Sequence, residues 1–256
     1  MITPVQSAER IDAILDQENI NGDDAIGGTD KQSVHTYGPV YEALFTPFKD
    51  ENITLLEIGV KHGGSLLLWQ SFFSKAKIIG VDIENIIHYM VMPRLNKERC
   101  HTLFANGYHA DTVQSVSTLA PSGIDIMIDD GPHSLESQIQ FLQLYLPLLN
   151  VGGYAIIEDI PRIEWIENLK QTIDNATTCR RYEIDFVDNR NLKNRFDDIM
   201  LIIKRLPDVE TIQKVETIQK VETKKDKKVM KIKHLLHAAK SVIEIALEEL
   251  EELEEL

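Results

Sequence analysis

Two short stretches of the chain place carboxylates directly after apolar runs. The run in IMIDDGPH ends at Asp129 and Asp130 and is followed by His133, while the run in AIIEDI ends at Glu158 and Asp159. Neighbouring residues of an extended chain point to opposite faces, so Asp129 and Asp130 are expected to diverge. Such residues either form a site together or are solvated separately as ordinary loop residues.

If the two runs are adjacent strands of one sheet, their four carboxylates converge and repel one another unless a cation or protons intervene. Oxygen ligands favour Mg²⁺, Mn²⁺ or Ca²⁺ over zinc. We therefore expect Asp129, Glu158 and Asp159 to bind a divalent metal. Asp130 is expected either to be a further metal ligand or to accept hydrogen bonds behind the metal ligands.

His133 follows Asp129 by four residues, where the next helix is predicted to begin with Ser134 as its N-cap. A histidine beside a hydroxyl held by the metal could remove its proton, which typically contributes ~10²–10⁴-fold to a rate. Two other roles stay open at this point, those of a metal ligand and of a structural side chain.

A glycine loop follows the first predicted strand in LLEIGVKHGGS. Glu57, Gly59 and Gly63 form an ExGxxxG pattern, and Lys61 stands where a GxGxxG dinucleotide motif has its middle glycine. ExGxxxG is typical of nucleotide-like ligands without phosphates, above all S-adenosylmethionine, whose ammonium Glu57 could bind. A tight turn between a strand and a helix would also account for the glycines.

Two further polar residues end predicted strands on the same side of the sheet. Asp82 lies 23 residues after Gly59, at the spacing of the carboxylate that binds ribose hydroxyls. Asn106 ends the third strand, where its amide could contact an adenine. The alternatives are a solvated strand-end aspartate and a turn asparagine.

The apolar pattern predicts the elements that position these residues. Strands are predicted at 53–58, 77–82, 100–105, 124–129, 153–158, 182–188 and 199–205. Helical spacing separates the first five, which indicates an α/β fold with a doubly wound, mostly parallel sheet. The connector between the last two is too short and polar for a crossover helix, so that pair should be antiparallel.

The ends of the chain differ in character from the middle. Residues 1–25 contain the amphipathic segment IDAILDQ, 26–206 form the predicted catalytic domain, and 207–256 a tail in which VETIQK occurs twice. Apolar residues at helical spacing from Ile232 onward predict a tail helix. It is either an oligomerisation or docking helix, which would allow a homo-oligomer, or a solvated appendage.

Composition restricts the partners and the compartment. The formal net charge of −14 argues against nucleic acid or an anionic membrane as the main partner. The two cysteines, Cys100 and Cys179, form no metal-binding pattern, and neither a signal peptide nor a membrane-spanning run is recognisable. We therefore expect a soluble, cytoplasmic protein.

Taken together, the motifs resemble those of a known family. ExGxxxGGS, strand-end Asp82, IDDGPH, IEDI and the segment TDK-x3-HxY-x3-YE over residues 28–45 are similar to metal-dependent class I S-adenosylmethionine methyltransferases. The closest likeness is to mycinamicin-type macrolide and sugar O-methyltransferases and to the cephalosporin-hydroxylase-like group. The resemblance covers residues 26–205 and implies seven strands that end in an antiparallel hairpin.

The resemblance also implies residue roles. His133 matches the general base, and the metal ligands match Asp129, Glu158 and Asp159. The implied cofactor contacts are Glu57, Gly59, Gly63, Ser65, Asp82 and Asn106, together with a lid segment that contains Thr29, Lys31, His35 and Tyr37. His35 and Tyr37 could instead tie this segment to the domain. The chain departs from the family at Pro132 and Asn106, where serine and an acidic residue are usual.

The predicted activity is transfer of a methyl group from S-adenosylmethionine to a metal-bound hydroxyl, with His133 removing the proton. A sugar or glycoside as acceptor is implied by the resemblance. Two other classes stay open, an NAD-dependent oxidoreductase, against which Lys61 argues, and a non-catalytic interaction protein with the same fold.

Overall fold

A computed structural model describes residues 9–22, 26–176, 180–208 and 229–230. One sheet of seven strands organises the chain up to Leu206. The strands are β1 (Thr54–Ile58), β2 (Lys77–Asp82), β3 (Cys100–Phe104), β4 (Ile124–Asp129), β5 (Leu149–Ile157), β6 (Arg181–Asp188) and β7 (Ile199–Leu206). Their spatial order is β3-β2-β1-β4-β5-β7-β6.

The first five strands are parallel, whereas β7 is antiparallel to both of its neighbours, β5 and β6. The predicted fold class and terminal hairpin are therefore confirmed. The strand β5 begins at Leu149, four residues before the predicted start, and its pairing with β4 is irregular around Gly152, which has a φ of +84°.

Helices cover both faces of the sheet. They are α1 (Glu9–Gln17), α2 (Gly38–Phe45), α3 (Gly64–Phe72), α4 (Ala110–Leu119), α5 (Leu135–Tyr145), α6 (Trp165–Ala176) and the short α7 (Arg190–Lys193), which lies in the hairpin connector. One core cluster packs α1, α2 and α3 against the sheet. The second packs α4, α5 and α6 against the opposite face.

The two clusters decide which way the strand-end residues point. Ile128 belongs to the cluster under α1–α3, while Met127 belongs to the one under α4–α6. Side chains alternate along a strand, so Asp129 points to the same side of the sheet as Met127, and Asp130 to the same side as Ile128. This alternation separates Asp130 from Asp129.

A second compact unit begins at Pro207. The structure describes Pro207, Asp208 and the helical pair Val229 and Met230 of it, so the predicted tail helix from Ile232 and the VETIQK repeat lie outside the described residues. Within the described part of the chain, no helix is both long and apolar enough to cross a membrane.

Candidate active site

A cavity of about 560 Å³ opens at the carboxyl ends of the parallel strands. This is where open α/β sheets bind their ligands. Eight of the predicted site residues line it, namely Thr29, Gly59, Ser65, Asp82, Asn106, Asp130, His133 and Asp159. Seven others do not line it in the described structure: Lys31, His35, Tyr37, Glu57, Gly63, Asp129 and Glu158.

The loop after β1 forms one wall of the cavity. Gly59 has a φ of +87°, and a Cβ atom there would lie 1.9 Å from the carbonyl oxygen of Asp130. The backbone of the loop therefore passes in contact with the end of β4, as only glycine allows. The Asp82 carboxylate holds the loop, since its Oδ2 accepts hydrogen bonds from the amides of Val60 (3.0 Å) and Lys61 (2.7 Å).

Glu57 lies behind this loop and does not line the cavity, so its expected role as a cofactor contact stays a prediction. Its side chain is fully buried. Its Oε2 accepts hydrogen bonds from the Ser65 hydroxyl (2.7 Å) and the Trp69 indole (3.1 Å). Lys31 Nζ is 3.2 Å from the other oxygen. The carboxylate therefore fixes the start of α3 against the N-terminal segment.

The TDK segment supplies the cation between the strand-end carboxylates. Lys31 Nζ lies 2.7 Å from Asp130 Oδ2 and 2.5 Å from Glu158 Oε2. Glu158 is buried, and its second oxygen accepts a hydrogen bond from the Tyr41 hydroxyl. Glu158 is thus bound by Lys31 and Tyr41, and its expected role as a metal ligand stays a prediction.

The two carboxylate oxygens of Asp159 also have different partners. The Tyr37 hydroxyl donates to Oδ1 at 2.5 Å, and His35 Nδ1 lies 3.3 Å from the same atom. Both His35 and Tyr37 are buried and stack on each other, with ring centroids 4.8 Å apart. They tie this part of the N-terminal segment to the domain, while Thr29 of the same segment lines the cavity, so the expected lid over the cofactor stays a prediction.

The second oxygen of Asp159 faces His133. His133 Nε2 lies 3.6 Å from Asp159 Oδ2 and 3.9 Å from Asp130 Oδ1. The three side chains offer two carboxylate oxygens and one imidazole nitrogen within 4.8 Å of one another, a spacing that could hold a metal ion. A second such group, deeper in the protein, combines His35 and Asp159 with Asp197.

The backbone at this point is strained. His133 and Asp159 have φ values of +56° and +52°, in the left-handed region that non-glycine residues rarely adopt. Such conformations persist where the surroundings fix them and are concentrated at functional sites. The predicted N-cap is confirmed, because the Ser134 side chain accepts a hydrogen bond from the amide of Ser137, and α5 begins at Leu135, two residues after His133.

Asp129 lies in a different environment from Asp130. It is buried, and its Oδ1 accepts a hydrogen bond from the Tyr108 hydroxyl at 2.5 Å. Asp129 therefore does not line the cavity, and its expected role as a metal ligand stays a prediction. Asp130, not Asp129, shares the cavity with His133 and Asp159 because it falls on the sheet face that carries the N-terminal segment.

Crowding and burial shift the acid–base properties of the cluster. Burial and the neighbouring charge of Asp130 raise the pKa of Asp159 to about 6. Burial likewise raises the pKa of Glu158 well above its ordinary value, although Lys31 acts in the opposite direction. A single ammonium thus does not compensate the whole cluster, and a further cation would be stabilised at the cavity.

Three contributors were not identified from the sequence. Tyr41 follows Tyr37 by four residues in the first turns of α2, so their shared helix face was a usable signal for a paired role. Tyr108 and Asp198 carry no such signal. Asp198 is fully buried with Oδ1 3.5 Å from His35 Nδ1.

The sequence matches the family model described as Rhamnosyl O-methyltransferase/CmcI over residues 47–177, slightly more than half of the chain. One relative is 8-demethyl-8-alpha-L-rhamnosyl tetracenomycin-C 2'-O-methyltransferase from Streptomyces olivaceus, 32% identical over 62% of this chain and 43% of its own length. Mycinamicin VI 2''-O-methyltransferase from Micromonospora griseorubida is 31% identical over 52% of this chain and 33% of its own. The chain therefore spans less than half the length of these relatives.

Solved structures support the fold. The MycE methyltransferase of mycinamycin biosynthesis, solved with Mg, SAH and mycinamycin VI, superposes with a TM-score of 0.58 at 18% identity. The match covers 77% of this chain and 53% of that one. The likeness confirms the class I methyltransferase fold inferred from the sequence.

Proposed function

Since the chain belongs to the rhamnosyl O-methyltransferase/CmcI family, we propose that it transfers a methyl group from S-adenosylmethionine to a hydroxyl of a sugar or glycoside with the help of a divalent metal. The observation that carries this proposal is the convergence of Asp130, Asp159 and His133 on the cavity beside the glycine loop.

The cavity suits an adenosine-containing cofactor. Asp82 lines it with a carboxylate already oriented by the loop amides, as binding of two ribose hydroxyls requires. Asn106 and Thr29 line the same cavity and are proposed as further cofactor contacts, whereas Glu57 and Gly63 act from behind by shaping the loop and the start of α3. Lys61 in place of the middle glycine disfavours a pyrophosphate and therefore NAD.

The donor set suits a hard divalent cation such as Mg²⁺, with Mn²⁺ or Ca²⁺ as alternatives. Asp130 Oδ1 and Asp159 Oδ2 are the carboxylate oxygens on the His133 side, and carboxylates are the usual ligands of these ions. When bound, S-adenosylmethionine supplies the electrophilic methyl group and the metal supplies positive charge that lowers the pKa of the acceptor hydroxyl.

His133 is proposed as the general base. Its ring is about one-third exposed and lies beside both carboxylates, which would orient it. The left-handed backbone conformation of His133 places its ring at the N-terminal end of α5. Removal of the hydroxyl proton there would contribute ~10²–10⁴-fold to the rate.

The acceptor class is inferred from the relatives. The names of two relatives give a rhamnosyl tetracenomycin and mycinamicin VI as the molecules that these enzymes O-methylate. A small glycosylated molecule or a glycan is therefore the proposed acceptor for this chain, and nucleic acid is not expected because of the net charge of −14. A homo-oligomer through the C-terminal helix, the domain limits and a cytoplasmic location stay predictions.

Calorimetric titration tests the proposal. S-adenosylmethionine should bind with a stoichiometry of one, and Mg²⁺ should bind to the same protein, whereas NADH should give no heat of binding. Binding of NADH without binding of S-adenosylmethionine would contradict the proposed cofactor and revive the oxidoreductase hypothesis. Failure of both to bind would favour the non-catalytic alternative.

A further inference from the structure

Lys31 is a buried lysine surrounded by acidic side chains. Its side chain is 2% exposed, and Nζ lies within 3.2 Å of oxygens from Glu57, Asp130 and Glu158. Lysine is almost never fully buried unless it is paired, because removing an ammonium from water is costly. Three carboxylate partners from three strands compensate this cost.

Each of the three partners is also held or directed by another group. Glu57 accepts from Ser65 and Trp69, and Glu158 accepts from Tyr41. Asp130 differs, because Lys31 binds its Oδ2 while Oδ1 is directed toward His133. The ammonium thus fixes one oxygen of Asp130 and leaves the other on the cavity side.

The charge of the cluster explains why a fixed cation is needed there. Burial disfavours a charged lysine, but carboxylate oxygens of Asp130, Glu158 and Glu57 all lie within 3.2 Å of Nζ and offset this cost. Without Lys31, three carboxylates would be buried together with no positive charge between them.

We propose that Lys31 is a positioning residue, the built-in counter-cation of this carboxylate cluster, which aims Asp130 at the site of the divalent metal. The part concerning the metal rests on the proposed function. Lys31 does not touch the cavity, so it acts through Asp130 rather than on substrate or cofactor.

If Lys31 is the counter-cation, the effect of Glu57→Gln on the Tm, measured without metal, should have opposite signs in the wild type and in Lys31→Met. Glu57→Gln should lower the Tm of the wild type, because it removes a partner of Lys31. The same change should raise the Tm of Lys31→Met, because it removes a buried charge that has lost its compensation. The counter-cation role is wrong if Glu57→Gln lowers the Tm by the same amount in both backgrounds. It is also wrong if Lys31→Met does not fold and the added Glu57→Gln substitution does not restore folding.

The positioning role is tested by Mn²⁺ binding, followed by electron paramagnetic resonance. The double variant Lys31→Met/Glu57→Gln has the net charge of the wild type but lacks the tether on Asp130. We expect it to bind Mn²⁺ about 10- to 100-fold more weakly, the usual effect of losing a group that orients a metal ligand. Equal affinity in the double variant and the wild type would overturn the positioning role.

Lys77→Met is the matched control. Lys77 Nζ donates to one carbonyl, that of Leu119, at 2.9 Å, and Lys77 begins β2 at the opposite end of the sheet from the cavity. This control should bind Mn²⁺ like the wild type. If the wild type itself binds no Mn²⁺, the proposed metal site fails, while the unfolding experiment still decides whether Lys31 is the counter-cation.

Discussion

At the scale of single residues, Asp129 and Asp130 are neighbours with unlike surroundings. Burial raises the pKa of Asp129 to about 7, and its oxygen is bonded to Tyr108. Asp130 instead joins His133 and Asp159 at the cavity. Side chains alternate between the two faces at a strand end, so these two adjacent carboxylates lie in different environments.

This difference predicts the effects of two matched amide substitutions. Asp130→Asn should abolish Mg²⁺ or Mn²⁺ binding, because it removes a charged oxygen from the donor set. Asp129→Asn should keep metal binding, because the neutral amide can still accept from Tyr108. Isothermal titration with Mn²⁺ measures both. Loss of metal binding in the Asp129 variant alone would identify Asp129, and not Asp130, as the metal ligand.

His133→Asn separates binding from catalysis. Asparagine tolerates the left-handed backbone better than most residues but cannot act as a base near neutral pH. We expect S-adenosylhomocysteine to bind with unchanged affinity and methyl transfer to fall by about 10²–10⁴-fold. Transfer at the wild-type rate would show that another group accepts the proton.

The residue types of the site were accessible from the sequence, but their contacts were only partly so. Carboxylates after apolar runs and the ExGxxxG loop identified the correct edge of the sheet. The bonds of Lys31 to Asp130 and Glu158 span 99 and 127 residues of sequence. No local pattern specifies such contacts, because they depend on how the N-terminal segment packs over the folded sheet.

At the scale of elements, the strands β1 to β4 agree with their predicted limits within one residue. Their apolar, β-branched runs are buried on both faces, and such runs are the clearest signal of a central parallel strand. The segment before α2 was harder to interpret. Its histidine and tyrosine indicated a function, but only the packing distinguishes a lid from an anchor.

The loop after β1 gives a prediction for two glycines. Gly59 and Gly152 both have positive φ values, +87° and +84°, so alanine is strained at either position. A Cβ at Gly152 would meet nothing within 4 Å, whereas one at Gly59 would collide with the backbone of Asp130. Urea denaturation should show a loss of about 1–2 kcal/mol for Gly152→Ala.

Gly59→Ala should cost more than this control and should also weaken binding of S-adenosylmethionine, because the loop and the end of β4 must separate. Equal losses of stability in the two variants would mean that the close approach at Gly59 is not important. The comparison therefore isolates the contact from the backbone strain that both positions share.

At the scale of the whole molecule, the sheet brings together side chains from three distant regions. The N-terminal segment provides Lys31, His35 and Tyr37. The first strand and its loop provide Glu57 and Gly59, and the ends of β4 and β5 provide the proposed metal ligands. The strand order 3-2-1-4-5-7-6 places β1 beside β4 and β4 beside β5, so the ends of these strands share one edge. The alternation of strands and helices predicted the parallel strands and the terminal antiparallel pair, and the family resemblance implied seven strands.

Metal-dependent methyl transfer to a sugar hydroxyl can be measured in a single assay. The protein is incubated with S-adenosylmethionine, Mg²⁺ and a panel of glycosides that includes rhamnosides, and products are followed by mass spectrometry. We predict a product heavier by one methyl group, its loss in EDTA, and its recovery when Mg²⁺ is restored. Methyl transfer that continues undiminished in EDTA would contradict the account.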